Sequence, residues 1–194
     1  MNRTATVDRT TAETSIRLRL DLDGTGVSDI ATGIGFFDHM LTHIARHGRF
    51  DLTISAKGDL HVDDHHTVED VGICLGKAIA DALGDKRGIE RFGAAFVTMD
   101  EALARTIIDL SGRSYFVFLA GFSRESINGF SLELVSEFFR AVSSEGRMNL
   151  HVALLYGGNA HHQVEAIFKS FGRALRSALQ KTGDNEIPST KGTL

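Results

Sequence analysis

The sequence predicts an α+β fold that is built from one unit occurring twice. The motif His-His-x-Val-Glu stands at residues 65–69 and again at residues 161–165. The stretch after each motif keeps a common spacing, in which Gly76 corresponds to Gly172. Segments with strand-like alternation precede both motifs. Two chance histidine pairs would not share a downstream register, so we infer an internal duplication.

The first half is predicted to contain strands and two helices. Residues 14–22 alternate between apolar and polar side chains, which is typical of a half-buried strand. Residues 36–47 have helical spacing and are followed by Gly48, a residue that commonly ends helices. The other elements are a strand over 51–56, a short strand containing His61, and a helix from about 64 to 83 capped by Asp63 or Asp64.

The second half is predicted to repeat this plan. Its elements are paired strands over 93–99 and 102–110, a strand over 113–120, a helix over 132–143, a strand over 149–156 and a helix over 160–180. Aligning residues 48–52 with residues 146–150 places Glu137 opposite His39. Each half thereby gains a third candidate ligand.

The composition excludes several classes of protein. The chain of 194 residues is 42% hydrophobic, and we expect one domain of two repeats, about 1–90 and 91–181, with a tail at 182–194. A formal net charge of −4 argues against nucleic-acid and membrane partners. No apolar run approaches the roughly 18 residues of a transmembrane helix, and the N-terminus lacks the apolar core of a secretory signal. The single Cys74 suits a reducing cytoplasm, so we expect a cytoplasmic protein.

Helical geometry separates the candidate metal ligands of each motif. Residues four apart share a helix face, whereas adjacent residues point about 100° apart, so one ion can bind the first histidine and the glutamate but not easily the second histidine. We therefore expect two ions, the first bound by His65, Glu69, His39 and His162 and the second by His161, Glu165, Glu137 and His66. Imidazole combined with carboxylate suits Mn, Fe or Zn better than Mg or Ca.

Each candidate residue also has an ordinary interpretation. One His-His-x-x-Glu can be solvated or capping at a helix N-terminus, but its repetition in a matching register favours ligands. His43 and His47 follow His39 on nearly the same helical face, where they either contact a substrate or face solvent. Glu13 alone is an ordinary surface carboxylate. Basic and hydroxyl side chains near turns suit a phosphate, although scattered ones usually bind nothing; they are Arg91, Arg113, Ser189, Thr190 and Lys191.

Five segments resemble the imidazoleglycerol-phosphate dehydratase family, in order and with matching spacing. They are FFDHML at 36–41, GDLHVDDHHTVED at 58–70, DLSGR at 109–113, NAHHQVEAIFKSFGRALR at 159–176 and IPSTKG at 187–192. The resemblance spans nearly the whole chain and implies the monofunctional enzyme of histidine biosynthesis. It also implies the family fold of two similar halves, each a four-stranded mixed sheet with helices packed on one face.

The resemblance further implies the site residues. Two Mn²⁺ per subunit would be bound by residues matching His39, His65, His66, Glu69, Glu137, His161, His162 and Glu165, where histidine is usual at the position of Glu137. Substrate contacts would fall on Glu13, His39, His43, His47, His65, His66, Glu69, Arg91, Arg113, Ser189, Thr190 and Lys191. Catalytic roles would fall on Glu13, His39, His66 and His162. Glutamine is frequent in the family where this chain has His43.

The implied reaction is the dehydration of D-erythro-imidazole-glycerol phosphate to imidazole-acetol phosphate. A metal-bound imidazolate would assist loss of hydroxide to a diazafulvene-like intermediate, and proton removal would give an enol that becomes the ketone. Glu13 is the expected general acid or base, with a metal-bound water or a neighbouring histidine as the alternative. The family assembles as a 24-mer with metals between subunits, and the terminal segment 187–192 would close over substrate.

Two other functions fit parts of the pattern. A two-metal hydrolase would place its ions about 4 Å apart, whereas this arrangement places them farther apart. A metal-storage shell would also be lined with histidine and glutamate, but Glu13 and the phosphate-binding candidates would serve no purpose there.

Overall fold

The structure, a computed structural model, describes residues 3–194 and contains a repeated order of strands and helices. The first half consists of β1 (Thr4–Thr10), β2 (Thr14–Asp21), β3 (Ser28–Ala31), α1 (Gly35–Gly48), β4 (Asp51–Gly58) and α2 (His65–Leu83). The second half consists of β5 (Phe92–Met99), β6 (Ala102–Asp109), β7 (Tyr115–Leu119), β8 (Ser126–Ile127), β9 (Phe130–Ser131), α3 (Leu134–Glu145), β10 (Asn149–Tyr156) and α4 (Ala160–Ala178). Apart from the small β8–β9 hairpin, both halves follow one order of elements.

Each half forms a four-stranded mixed sheet, so the predicted α+β class is confirmed. The strand orders are β1-β2-β4-β3 and β5-β6-β10-β7. The last pair of each sheet is parallel and the other pairs are antiparallel. In β2, Ile16 and Leu18 are buried while Arg17 and Arg19 are exposed, which is the alternation of a strand with one covered face.

The four helices lie against the covered faces of the sheets and pack across the two halves. Helix α2 packs on the first sheet and on α3, whereas α4 packs on the second sheet and on α1. Gly76 and Gly172, which correspond in the repeat, allow this approach. A Cβ on Gly76 would lie 2.7 Å from the carbonyl oxygen of Val142, and one on Gly172 would lie 2.8 Å from that of Ile44. Each ligand-bearing helix therefore meets a helix of the other half.

The uncovered faces of the two sheets differ in polarity. The first sheet exposes polar side chains there, among them Ser15, Arg17, Arg19, Thr53, Ser55 and Lys57. The second sheet exposes large apolar side chains, and their exposed fractions run from 41% for Ile107 to 65% for Tyr115. Phe92, Phe96 and Leu119 are also exposed on this face. Exposed apolar groups of this extent are typical of an interaction surface.

Several expected elements were wrong or missing. His61 lies in a turn rather than in a strand, because Val62 donates to the carbonyl oxygen of Asp59 and closes the chain there. Strands β1 and β3 were not predicted; both are edge strands with few buried side chains, so their apolar alternation is weak. Helix α3 begins and ends two residues later than expected. The division into repeats of about 1–90 and 91–181 with a tail stays a prediction.

Candidate active site

Both histidine pairs open a helix that a side chain two residues earlier holds in place. Asp63 accepts a hydrogen bond from the backbone N–H of His65 at 2.8 Å, and Asn159 accepts one from that of His161 at 2.9 Å. These bonds satisfy backbone donors that have no partner within the first turn of a helix. The equivalent histidines of the two repeats thus start their helices in the same way.

The first cluster consists of His65 and Glu69 on α2 and Glu137 on α3. One ligand atom from each lies within 4.8 Å of the others. His65 Nε2 is 3.9 Å from a carboxylate oxygen of Glu69, as their spacing of four residues predicts. Arg140, one turn along α3, forms an ion pair with Glu137. The Glu137 carboxylate is therefore paired with a cationic side chain of its own helix.

The second cluster consists of His39 and His43 on α1 and Glu165 on α4, with His161 beside them. One oxygen of Glu165 is 3.4 Å from His39 Nε2, 3.3 Å from His43 Nε2 and 3.1 Å from His161 Nε2. Its other oxygen is 2.5 Å from the ammonium of Lys169. Three imidazoles thus converge on a carboxylate that is almost fully buried.

The expected assignment of His39 and Glu137 to the two histidine–glutamate pairs was wrong. Glu137 lies with His65 and Glu69, whereas His39 lies with Glu165 and His161. The cause is the packing of α2 on α3 and of α1 on α4, which sequence periodicity does not specify. Both clusters consequently contain residues from both halves.

His66 and His162 turn away from these clusters. Neither belongs to a metal-binding group within residues 3–194, as expected because adjacent helical residues point about 100° apart. His66 Nδ1 lies 3.0 Å from Asp59, and His162 Nδ1 lies 2.8 Å from Glu101. The hydrogen bonds to these two carboxylates raise the pKa of both imidazoles.

Glu13 lies beside His66, on the other side of the ring. Its carboxylate is 3.7 Å from His66 Nε2 and about half exposed. The turn between β1 and β2 places it there, because Thr11 accepts hydrogen bonds from the backbone N–H groups of Glu13 and Thr14. The structure therefore brings together the expected acid or base and one expected histidine ligand.

The second cluster lowers the pKa of both Glu165 and His43. Burial by itself would raise the pKa of Glu165, but the hydrogen bond from Lys169 and the charges of His43 and Lys169 lower it to about 2. Burial is the main cause that lowers the pKa of His43 from 6.5 to about 4, with His39, Lys169 and His47 acting in the same direction and Glu165 against it. An ionised carboxylate beside neutral imidazoles is the state in which both are metal ligands.

The substitution His43→Gln is expected to make the metal-free protein less sensitive to acid. The folded pKa of His43 lies below the unfolded value, so its contribution to stability is complete above about pH 6.5 and is lost as the pH falls toward 4. The loss in free energy of unfolding over this range should be smaller in the variant by roughly 1–3 kcal/mol. Urea unfolding at one protein concentration measures it, and equal losses in both proteins would contradict the assignment.

The expected phosphate contacts lie near the C-terminal tail. Arg91 forms two hydrogen bonds with Asp109, at 2.6 and 3.1 Å, and donates to the carbonyl oxygen of Pro188 at 2.8 Å. The segment that contains Ser189, Thr190 and Lys191 is a loop that continues past this contact, and its end at Leu194 lies against Gly112. Arg113, the next residue, is exposed. Within residues 3–194, no hydrogen bond or ion pair links this region to either histidine cluster.

His47 lies one turn beyond His43 and lines a basic cavity. The two imidazole centroids are 5.7 Å apart. The cavity, of about 370 Å³, is also lined by Phe96, Arg173 and Arg176. Burial lowers the pKa of His47, and the charges of Lys169 and Arg173 act in the same direction.

Three charged residues of the site were not anticipated from the sequence. Lys169 contacts Glu165, and its spacing of four residues from Glu165 was a signal that helical periodicity offered. Asp59 and Glu101 contact the second histidine of each motif. Glu101 immediately precedes β6 as Glu13 immediately precedes β2, so a comparison of the two hairpins would have drawn attention to it.

Comparison with known protein families identifies the family to which this chain belongs. A family model described as imidazoleglycerol-phosphate dehydratase matches residues 32–175, which include both histidine motifs and all four helices up to Leu175. The chain belongs to this family. The resemblance noted from five sequence segments is thereby confirmed.

Curated relatives and solved structures agree with the family model. Imidazoleglycerol-phosphate dehydratases of Granulibacter bethesdensis and Hydrogenovibrio crunogenus are 59% and 56% identical to it; the alignments cover 100% and 99% of this chain and all of each relative. The crystal structure of the enzyme from Staphylococcus aureus is 42% identical, with a TM-score of 0.84 over 92% of this chain and 99% of that chain. A structure from Pyrococcus furiosus in complex with (S)-C348 is 37% identical, with a TM-score of 0.85 over 97% and 100%.

Membership of the imidazoleglycerol-phosphate dehydratase family makes the chain a dehydratase of histidine biosynthesis, a hydro-lyase. The two clusters supply groups of histidine and carboxylate ligands consistent with a metal requirement in this family. Within residues 3–194, no helix combines the length and the apolar composition that crossing a membrane requires.

Proposed function

We propose that this enzyme removes water from D-erythro-imidazole-glycerol phosphate and forms imidazole-acetol phosphate. The observation that carries the proposal is the pair of histidine and glutamate clusters, each built from both repeats, in a chain of the imidazoleglycerol-phosphate dehydratase family. Each cluster would offer ligands for one ion, which would supply Lewis acidity toward the imidazole ring of the substrate. We place the reaction in the cytoplasm, where the buried thiol of Cys74 would remain reduced.

The donor set fits two Mn²⁺ ions per subunit. Imidazole nitrogens and carboxylate oxygens together suit manganese, and the ligand atoms of each cluster are close enough to share one ion. The residues that would hold the ions are His39, His65, His66, Glu69, Glu137, His161, His162 and Glu165. When bound, the ions supply Lewis acidity that favours the imidazolate form of the substrate ring. His43, which the sequence placed only against substrate, is near enough to Glu165 to be a further ligand.

We propose that neighbouring subunits complete these sites in a homo-oligomer, a 24-mer as in the family. His66 and His162 point away from both clusters of their own chain, so ions bound by them would be shared with residues of another copy. The apolar uncovered face of the second sheet supports assembly, since it leaves Phe96, Tyr115 and Leu119 exposed.

Glu13 is proposed to transfer protons during the reaction. The hydroxyl leaves from the carbon attached to the ring as electrons move out of the ring, which gives a diazafulvene-like intermediate. A proton is then removed from the adjacent carbon, and the resulting enol becomes the ketone; one water is lost in total. Glu13 is half exposed and 3.7 Å from His66 Nε2, so it can reach a substrate bound at the ion that His66 would hold.

The basic residues near the tail are proposed to hold the substrate phosphate. Arg91 already contacts the tail through Pro188, and the tail ends beside Gly112, next to Arg113. Closure of this segment over substrate would add Ser189, Thr190 and Lys191 to the two guanidinium groups. Guanidinium groups bind phosphate with paired hydrogen bonds and lysine adds a point charge.

The substitution Arg113→Ala is expected mainly to raise KM. A phosphate contact is present in both the bound substrate and the transition state, so its loss weakens binding with little change in kcat. A charged hydrogen bond of this kind is worth about 1.5–3 kcal/mol, which corresponds to an increase in KM of roughly 10- to 100-fold. Steady-state kinetics measure both constants, and a large fall in kcat at unchanged KM would instead place Arg113 at the reacting carbons.

Turnover of imidazole-glycerol phosphate by purified protein tests the proposal. The protein is stripped of metal with a chelator and then restored with Mn²⁺. We expect no product without metal and recovery of product with Mn²⁺. Lack of turnover in assembled, manganese-loaded protein would reject the proposed substrate, and hydrolysis of phosphate esters by the same sample would favour a two-metal hydrolase.

A further inference from the structure

The two histidines that point away from the clusters share one feature: a carboxylate holds the Nδ1 atom of each. We propose that Asp59 and Glu101 are positioning residues, which keep Nε2 of His66 and of His162 available as the metal-binding atom. This inference rests on the proposed function, in which both histidines are ligands. It assigns a role to two acidic residues outside the ligand set.

The chemistry of the contacts determines which ring nitrogen carries the proton. An ionised carboxylate only accepts hydrogen bonds, so the Nδ1 atom facing it bears the hydrogen and the Nε2 atom of the neutral ring bears the lone pair. The separations are 3.0 Å from His66 to Asp59 and 2.8 Å from His162 to Glu101. Histidines that bind metals commonly donate their second N–H to a carboxylate in this way.

Glu101 also fixes the backbone that leads into α4. One of its oxygens accepts from the N–H groups of Gly158 and Asn159, at 3.1 and 2.7 Å, while the other faces His162. Its carboxylate thus sets both the start of the helix and the orientation of the ring. Asp59 differs, because both of its oxygens lie near His66 Nδ1, at 3.0 and 3.2 Å, and neither accepts from a backbone N–H within residues 3–194.

We infer that equivalent carboxylates have different roles in the two repeats. Glu13 and Glu101 each stand immediately before the second strand of a hairpin. Glu13 lies on the Nε2 side of His66, where a reacting substrate would be, and Asp59 occupies the Nδ1 side. Glu101 instead occupies the Nδ1 side of His162. The second repeat therefore uses its hairpin glutamate for orientation, and the first keeps its own for proton transfer.

This difference in backbone contacts yields a paired test. In Glu101→Gln, the two backbone N–H groups retain the amide oxygen, so the amide NH₂ faces His162 Nδ1. The Nδ1 atom must then accept a hydrogen bond, so the ring proton moves to Nε2. A protonated Nε2 cannot bind the ion. In Asp59→Asn, no backbone contact holds the amide, which can turn its oxygen toward His66 and keep the original tautomer.

The measurement is the affinity of metal-stripped, assembled protein for Mn²⁺ by isothermal titration, with thermal unfolding of the metal-free protein alongside. We expect Glu101→Gln to bind one of the two ions about 10- to 100-fold more weakly than wild type, with an unchanged unfolding temperature. Asp59→Asn should lose less affinity than Glu101→Gln. Asp81→Asn removes an exposed carboxylate of α2 and is the charge-matched control, with wild-type affinity expected.

Three outcomes would overturn the inference. Wild-type affinity in Glu101→Gln would show that the carboxylate does not set the tautomer. A fall in unfolding temperature that accompanies the loss of affinity would reduce its role to holding the Gly158–Asn159 backbone. Absence of Mn²⁺ binding by wild-type protein would reject the proposed function together with this inference, whereas wild-type binding and turnover with an unaffected variant would reject the inference alone.

Discussion

Replacing either His66 or His162 by alanine is expected to abolish turnover. Each of these imidazoles points away from the ligand cluster of its own chain, so each is proposed to complete an ion site that contains residues of a neighbouring copy. Lewis-acid stabilisation by one ion is worth several kilocalories per mole, and its loss lowers kcat by about 10³-fold or more.

The measurement is kcat with saturating Mn²⁺, together with the manganese content of each variant. His61→Ala is a suitable control, because His61 is exposed in the turn before α2 and belongs to neither cluster. Normal turnover in His66→Ala or in His162→Ala would contradict the scheme of two ions. Loss of activity in His61→Ala would point to general disruption of the turn rather than to missing ligands.

The substitution Glu13→Gln is expected to lower kcat by about 10²- to 10⁴-fold, the usual contribution of a general acid or base. The amide keeps the size of the side chain and loses its ability to exchange a proton. Because Glu13 belongs to neither ligand cluster, the manganese content should change little.

Glu125→Gln serves as the matched control, since it neutralises an exposed glutamate immediately before β8. The decisive comparison is between kcat and metal content in the two variants. A Glu13→Gln enzyme with wild-type kcat would assign the proton transfer to a histidine or to a water molecule. A parallel fall in manganese content would make Glu13 a ligand or an orienting group instead.

The ligand candidates were predictable because helical periodicity is a local property. Four residues separate His65 from Glu69 and His161 from Glu165, so each pair shares a face, and each pair does lie on one side of its helix. Gly76 and Gly172 were recognised only as equivalent, yet both turned out to allow a close helix contact.

The third ligand of each cluster was not predictable in the same way. The alignment of the repeats correctly put His39 and Glu137 in equivalent places, but each joined the cluster opposite to the one expected. Periodicity defines which face a helix presents and leaves open which helix it meets. The carboxylates that contact the Nδ1 atoms of the outward histidines were missed for a similar reason. Glu101 and His162, for example, are 61 residues apart in the chain.

Two edge strands of the first sheet mark another limit of the sequence, whereas the edge strands β5 and β7 of the second sheet were predicted. Strands β2, β4, β6 and β10 are central in their sheets and alternate clearly between buried and exposed side chains, so they were predicted. Strands β1 and β3 lie at sheet edges, where side chains bury less surface and the apolar pattern is weak. Hydrogen bonding to a neighbouring strand holds these two strands in the sheet, although their own apolar pattern is weak.

The sequence by itself determined the duplication, the class of fold and the helix face on which the candidate ligands stand. These properties follow from the order of side chains along a helix or strand of known period. Only the tertiary structure decided that α2 meets α3 and that α1 meets α4, and that Asp59 and Glu101 hold the outward histidines. Such contacts depend on the fit between surfaces distant in the chain, which no local pattern encodes.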